Sequence, residues 1–203
     1  HAHKPPIYAT STFAFDTAAE KEDAVDRALA WEPGAYFYSR TGNPTNRALE
    51  EKIASLEGAE DCVVSSSGMA AVSATLFAHL GAGDHLVVGD ELFVITGVLL
   101  DEDFPRRGID VTSVDMTDLA AVEAAITPAT KALFMETSSN PRLRVADLDA
   151  IAAILGRHPQ IWVFADEIYS RLAYAGAFDS LASRPGMQAR TIVSDGASKT
   201  WAM

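Results

Sequence analysis

Cysteine is nearly missing from this sequence: Cys62 is the only one. No internal disulfide can form, and its place in Cys62-Val63-Val64 reads as a small core residue rather than a reactive thiol. Basic residues are scarce beside acidic ones, 16 Lys+Arg against 28 Asp+Glu, which leaves a formal net charge of −12. That balance argues against nucleic acid or an anionic membrane as a partner, although a phosphate can still be held by local amides and one or two cations. Long hydrophobic runs are absent too. The longest, Leu92 to Leu100, is broken by Thr96 and Gly97 and is too short to span a bilayer. No signal-peptide pattern opens the sequence, so a cytoplasmic location is the expectation. His1, His3, His79, His85 and His158 show no metal-ligand spacing. Neither a G-x-S-x-G elbow nor a Walker loop occurs, and no internal repeat or low-complexity tract is apparent.

What is present is an alternation. Residues 1–17 carry Pro5, Pro6 and a Ser/Thr-rich stretch and read as an extended arm. Residues 18–31 look helical, and Glu32-Pro33-Gly34 ends that helix. A second helix is marked at both ends, with Asn43 as cap, Pro44 at its first position and Gly58 at its exit. From residue 61 onward, apolar strands are expected near 61–65, 85–89, 110–114, 131–136, 161–165 and 191–194. Helices are expected near 69–80, 94–106, 118–126, 147–157 and 179–184. Short apolar strands separated by helical periods predict an α/β fold, a mostly parallel sheet covered by helices on both faces. Such sheets bind ligands at the carboxyl ends of their strands. The division expected is an N-terminal arm with helices over 1–58 and a larger domain over 59–203.

The polar residues that interrupt this pattern carry the chemistry. Lys199, in Ser198-Lys199-Thr200, follows one apolar strand, and Asp166 ends another, Trp162-Val163-Phe164-Ala165. That pairing is what pyridoxal phosphate (PLP) chemistry requires: an amine to join the cofactor aldehyde and a carboxylate to keep the pyridine nitrogen protonated. An unpaired carboxylate is costly to bury, so Asp166 needs a partner, which a helix cap or a salt bridge would also supply. Ser65-Ser66-Ser67-Gly68-Met69 follows the first expected strand and opens a helix. Free amides there suit a phosphate, as they also suit an ordinary tight turn. Tyr38 and Arg40 alternate in a Gly/Pro loop and could reach a phosphate, or simply lie in solvent. Asn140 sits in an Asn-Pro turn at the end of the fourth strand. Tyr169 lies three residues past Asp166, and Phe93 follows the second strand, where it could stack on a ring or pack in the core.

Together these fragments resemble fold-type I PLP-dependent enzymes. Residues 5–155 are similar to the Cys/Met-metabolism (trans-sulfuration, cystathionine gamma-synthase-like) family. The matching segments are Pro5 to Phe13, Tyr38 to Thr45, Ser67 to Ala71, Gly81-Ala82-Gly83-Asp84 and Glu136 to Pro141. Residues 157–203 look more like class I/II aminotransferases, in Asp166-Glu167-Ile168-Tyr169-Ser170-Arg171 and Asp195-Gly196-Ala197-Ser198-Lys199-Thr200. The resemblance implies the fold-type I large domain, incomplete at the C-terminus, because family members continue through a last central strand and a domain whose arginine grips the substrate carboxylate. It implies pyridoxal 5'-phosphate as cofactor, Lys199 as the Schiff-base lysine and Asp166 at the ring nitrogen. Ser67, Gly68, Met69 and Ser198 would hold the phosphate, Asn140 and Tyr169 would approach the ring oxygen, and Phe93 would stack. Tyr38 and Arg40 would reach the phosphate of a neighbouring subunit, in a homodimer or homotetramer. Phe93 replaces a tyrosine common in the trans-sulfuration family, which keeps the ring and loses the hydroxyl. The implied activity is beta- or gamma-elimination or replacement on a sulfur amino acid. The alternatives are transamination and a non-catalytic PLP-binding fragment.

Overall fold

The computed structural model describes residues 5–202; the terminal His1 and His3 lie outside them. The described residues group into two units, one ending at Val64 and the other beginning at Ser65.

The first unit is built on two helices, α1 (Ala18–Leu29) and α2 (Pro44–Glu57). The Thr17 side chain caps α1 by accepting from the Glu20 N–H. Asn43 caps α2 by accepting from the Thr45 N–H at 2.8 Å, Pro44 fills its first position, and Gly58 leaves it at φ 65°, a conformation glycine adopts without strain. The arm before α1 is tied to the loop before α2 and to the first turn of α2: Thr12 bridges Tyr38, and the Tyr8 N–H donates to Thr45 Oγ1 at 2.8 Å. The strand expected at 61–65 is not formed. Its side chains alternate as a strand's do, with Cys62 and Val64 half-buried and Val63 82% exposed, but no ladder partner lies beside it among the described residues. Alternation suits an extended chain; only a neighbour makes it a strand.

The second unit is a sheet of five parallel strands, β1 (His85–Gly89), β2 (Asp110–Val114), β3 (Thr130–Glu136), β4 (Trp162–Asp166) and β5 (Thr191–Ser194), in the order β2-β1-β3-β4-β5. Every residue of β1 is buried, as a central strand of a sheet covered on both faces should be. Alternation divides the core. Leu86, Val88, Ala132, Phe134 and Phe164 face one layer with Leu76, Leu100 and Phe104, while Val87, Leu133, Met135 and Val163 face the other with Val122, Ile151 and Leu155. The first layer is covered by α3 (Gly68–His79), by Leu99 and Leu100 just after α4 (Val94–Val98), and by α5 (Phe104–Arg106), the second by α6 (Leu119–Ala125) and α7 (Leu148–Gly156). The chain closes with α8 (Ala197–Trp201).

Two expected helices differ. The stretch 94–106 is not one α-helix, because a π-turn at Leu99–Asp103 separates α4 from α5. There the Phe104 N–H reaches back five residues to the Leu99 carbonyl, and Pro105 has no N–H with which to continue an α-helical ladder. Residues 179–184 give only the short 3-10 turn Leu181–Ser183, capped by Ser180.

Candidate active site

Strand order reverses between β1 and β3: the chain leaves β1 for β2 on one side and returns for β3 on the other. The loops after those two strands leave the sheet there, at the carboxyl edge where such sheets bind ligands. Phe93 follows β1, Glu136 ends β3, Asp166 ends β4, and β5 leads through Ser194 to Ser198 and Lys199 on α8. Helix α3 runs into β1 through a short connection, so its N-terminus, with Ser67, Gly68 and Met69, lies at this same edge. Ser67 is its N-cap and accepts from the Ala70 N–H at 3.1 Å; a Cβ added to Gly68 would meet nothing within 4 Å.

The structure joins several of these residues directly. Met69 Sδ lies 3.6 Å from Thr96 Oγ1 on α4. The Phe93 N–H donates to Glu136 Oε1 at 2.6 Å, so the loop after β1 is fixed to the end of β3, while Phe93 as a residue remains 44% exposed. Glu136 pairs with Asp166 in the β3–β4 register, and Asp166 with Ser194 in the β4–β5 register. Asn140 and Tyr169 are half-buried in the loops after β3 and β4, and Ser198 and Lys199 are exposed on α8. Tyr38 and Arg40 belong to the first unit, where the Arg40 guanidinium sits 4.5 Å from the centre of the Tyr38 ring.

The electrostatics at the strand ends are unusual. Burial raises the proton affinity of the Asp166 carboxyl, the charge of Asp195 adds to it, and the Ile168 N–H at 3.1 Å opposes both. Glu136 is pushed up to about 7 by burial, against the Phe93 N–H, with a smaller upward push from the charge of Asp166. Sequence reasoning did not single out Glu136. The signal was there, since it ends Ala132-Leu133-Phe134-Met135 as Asp166 ends its own apolar run. A second feature also escaped notice. Arg144 reaches Asp115 at 2.8 Å, Asp90 at 3.1 Å and Glu91 at 3.1 Å, and Ser139 donates to Glu91 at 2.7 Å, so the loop after β3 is clamped to those after β1 and β2.

A raised carboxyl at this edge of the sheet suits a cationic partner, and a helix start without side chains in the way suits an anionic one. A family model described as Cys/Met metabolism PLP-dependent enzyme matches residues 1–178. The chain belongs to that family. It is 41% identical over 165 residues to an L-methionine gamma-lyase of Treponema denticola, covering 81% of this chain and 40% of the relative. It is similar in structure to cystathionine gamma-lyase from Lactobacillus plantarum complexed with L-serine, with a TM-score of 0.74 and 35% identity over 95% of this chain and 45% of that one. It is also similar to a Campylobacter jejuni protein assigned as an O-acetylhomoserine (thiol)-lyase that carries N'-pyridoxyl-lysine-5'-monophosphate. There the TM-score is 0.72 and the identity 31%, over 80% of this chain and 39% of that one. The chain thus spans about two fifths of the length of the curated relative it matches. The family match takes in Asp166 to Arg171, part of the segment that resembles aminotransferases, while Asp195 to Thr200 lies beyond it.

The residues present fit the family's cofactor. Asp166 offers a partly buried carboxylate that accepts from the Ile168 N–H, Gly68 leaves open space at a helix start, and Phe93 is partly exposed.

Proposed function

We propose that this chain carries the cofactor-binding part of a PLP-dependent enzyme of sulfur amino-acid metabolism, acting by elimination or replacement at the beta or gamma carbon. The observation that carries the reading is Asp166, a carboxyl raised by burial at the end of β4, beside the strand that leads to Lys199.

When bound, pyridoxal phosphate supplies an aldehyde that condenses with amines and a ring that takes up the electrons of a carbanion. Lys199 would be the protein's amine toward that aldehyde, and as a free amine it would carry protons between substrate carbons. Asp166 would hold the proton at the ring nitrogen. The N–H groups at the start of α3, at Gly68 and Met69, with the Ser67 and Ser198 hydroxyls, would hold the phosphate. Asn140 and Tyr169 would face the ring oxygen. Phe93 would stack on the ring, and without a hydroxyl it moves no proton. Tyr38 and Arg40 would serve the phosphate of a second copy, in a dimer or tetramer, a reading supported by their place in the family's N-terminal segment. A cytoplasmic setting fits the amino-acid chemistry named for the relatives.

Mixing the protein with PLP should give a visible absorbance band that borohydride reduction removes. Digestion should then yield a modified peptide containing Lys199, and Lys199→Ala should give neither. A label on another lysine, or a band retained by Lys199→Ala, rules the assignment out. With sulfur amino acids the expected products are a 2-oxo acid with thiol or ammonia; stoichiometric amino-group transfer would place the enzyme among transaminases instead.

A further inference from the structure

We propose that Glu136 is a positioning residue for the aromatic wall of this site: its carboxyl holds the backbone of Phe93, and with it the ring, at the sheet edge where strand order reverses. The proposal rests on the reading above in taking Phe93 as the wall on which a cofactor ring would stack.

Helix α4 begins at Phe93 with no side chain capping it. The first N–H groups of any helix lack intrahelical partners and need others. Phe93 finds one in Glu136 Oε1, at 2.6 Å from a different strand, 43 residues away in the chain. Glu136 is 8% exposed, so few positions are open to it. Its register partner is Asp166, and two positions earlier on the same strands Phe134 pairs with Phe164, both in the core layer that α3 covers. Glu136 and Asp166 therefore share the sheet face that α3, whose first turn carries Met69, packs against. One carboxyl thus touches the backbone that carries the candidate ring wall and stands beside the carboxyl that would meet the ring nitrogen.

The other charged groups facing Glu136 border a cavity of about 20 Å³ behind it: Asp90 and Glu91 from the loop after β1, Asp115 from the end of β2, and Arg144 from the loop after β3. Arg144 is engaged with Asp90, Glu91 and Asp115. Asp166 is left as the charge that raises Glu136. An ionised carboxylate accepts a stronger hydrogen bond than its protonated form. A cation beside Asp166 would offset its charge and favour ionised Glu136, tightening the hold on Phe93. Occupancy of the ring-nitrogen site and fixation of the aromatic wall should then support each other, and reciprocally.

The test uses Glu136→Gln, which keeps an acceptor oxygen and removes the charge, and Glu136→Ala, which removes both, in the complete protein. The first measurement is hydrogen exchange at the Phe93 amide without cofactor, corrected for intrinsic rate. Wild type should protect this amide better at pH 8 than at pH 6. Glu136→Ala should exchange about tenfold faster than wild type at pH 8, and Glu136→Gln should lie between them and lose the pH dependence. The second measurement is the PLP dissociation constant over the same pH range by absorbance titration; Glu136→Gln should flatten its pH dependence and Glu136→Ala should weaken it about tenfold. Unchanged Phe93 exchange in a cooperatively folded Glu136→Ala overturns the proposal. Should that variant fail to fold, a Glu136→Gln protein with wild-type pH dependence overturns it. A wild-type protein that takes up no PLP overturns the proposed function, while Phe93 exchange still decides the role of Glu136.

Discussion

Glu136 and Asp166 end neighbouring strands, and both bind protons more tightly than a free carboxyl does. The consequence for stability has a definite sign. Between the unfolded value of Glu136, 4.5, and its folded value of about 7, the native state holds more protons than the unfolded one. Its contribution is therefore complete below pH 4.5 and is lost as pH rises through 7. Asp166 acts in the same direction from its own ordinary value of 3.8. His85 opposes them. Its ring, bonded to Thr130 and Thr112, is held below 6.5 by burial, so it favours folding as pH rises toward 6.5. Asp61, Asp115 and Asp179 are lowered from 3.8 and act only in stronger acid. A comparison of wild type with Glu136→Gln cancels the histidine. The difference in urea midpoint between the two proteins, without cofactor, should move in favour of Glu136→Gln from pH 5 to pH 8. A difference that stays constant would mean that Glu136 titrates as a free side chain.

At the scale of elements, the proposed site asks one residue of α3 to serve a helix and a ligand together. Ser67 caps α3, and in the proposed reading it would also help hold a phosphate. Loss of such a cap costs about 1 kcal/mol, so Ser67→Ala should lower the free energy of unfolding in urea by about that much. Ser67→Asp should keep the cap and weaken PLP binding, because its charge repels a phosphate. If Ser67→Asp binds PLP as wild type does, Ser67 is only a cap. Elements also show what could be read before the fold was known. Runs such as Leu86-Val87-Val88 and Trp162-Val163-Phe164-Ala165, set between helical periods, located all five paired strands to within a residue. Cys62-Val63-Val64 had the same local pattern and failed, because a ladder depends on a neighbour that local pattern does not encode. Pro105 was visible, yet the π-turn it accompanies depends on how Leu100 and Phe104 both reach the core. Asp166 and Lys199 stood out as polar residues closing or following apolar strands. Glu136 ended such a strand too, but its importance needs β3 beside β4 and the loop after β1 folded over both, and only tertiary structure supplies that.

At the scale of the whole molecule, residues up to Val64 and residues from Ser65 form separate units. Tyr38 and Arg40 lie in the first unit and Lys199 in the second. If the first pair serves a second copy, a chain with Lys199→Ala and a chain with Arg40→Ala carry damage that a mixed dimer can bypass at one of its two sites. In the complete protein, verified hybrids of the two should recover part of the activity that neither variant shows alone. Hybrids as inactive as their parents would mean that the loop serves its own chain.

The order of the strands also bears on how the chain acquires its shape. β1 is made before either of its neighbours: its partner on one side begins at Asp110 and on the other at Thr130. During synthesis, at roughly 5–20 residues per second, Leu86, Val87 and Val88 wait without a ladder until β2 emerges, and their second edge waits for β3. Parallel pairing across such separations adds loop-closure entropy before any contact rewards it, which slows folding. The buried heart of the finished sheet is therefore the segment most exposed to wrong partners while the sheet is being made, and a chaperone that shields apolar strands should bind nascent chains ending between β1 and β3 better than longer ones.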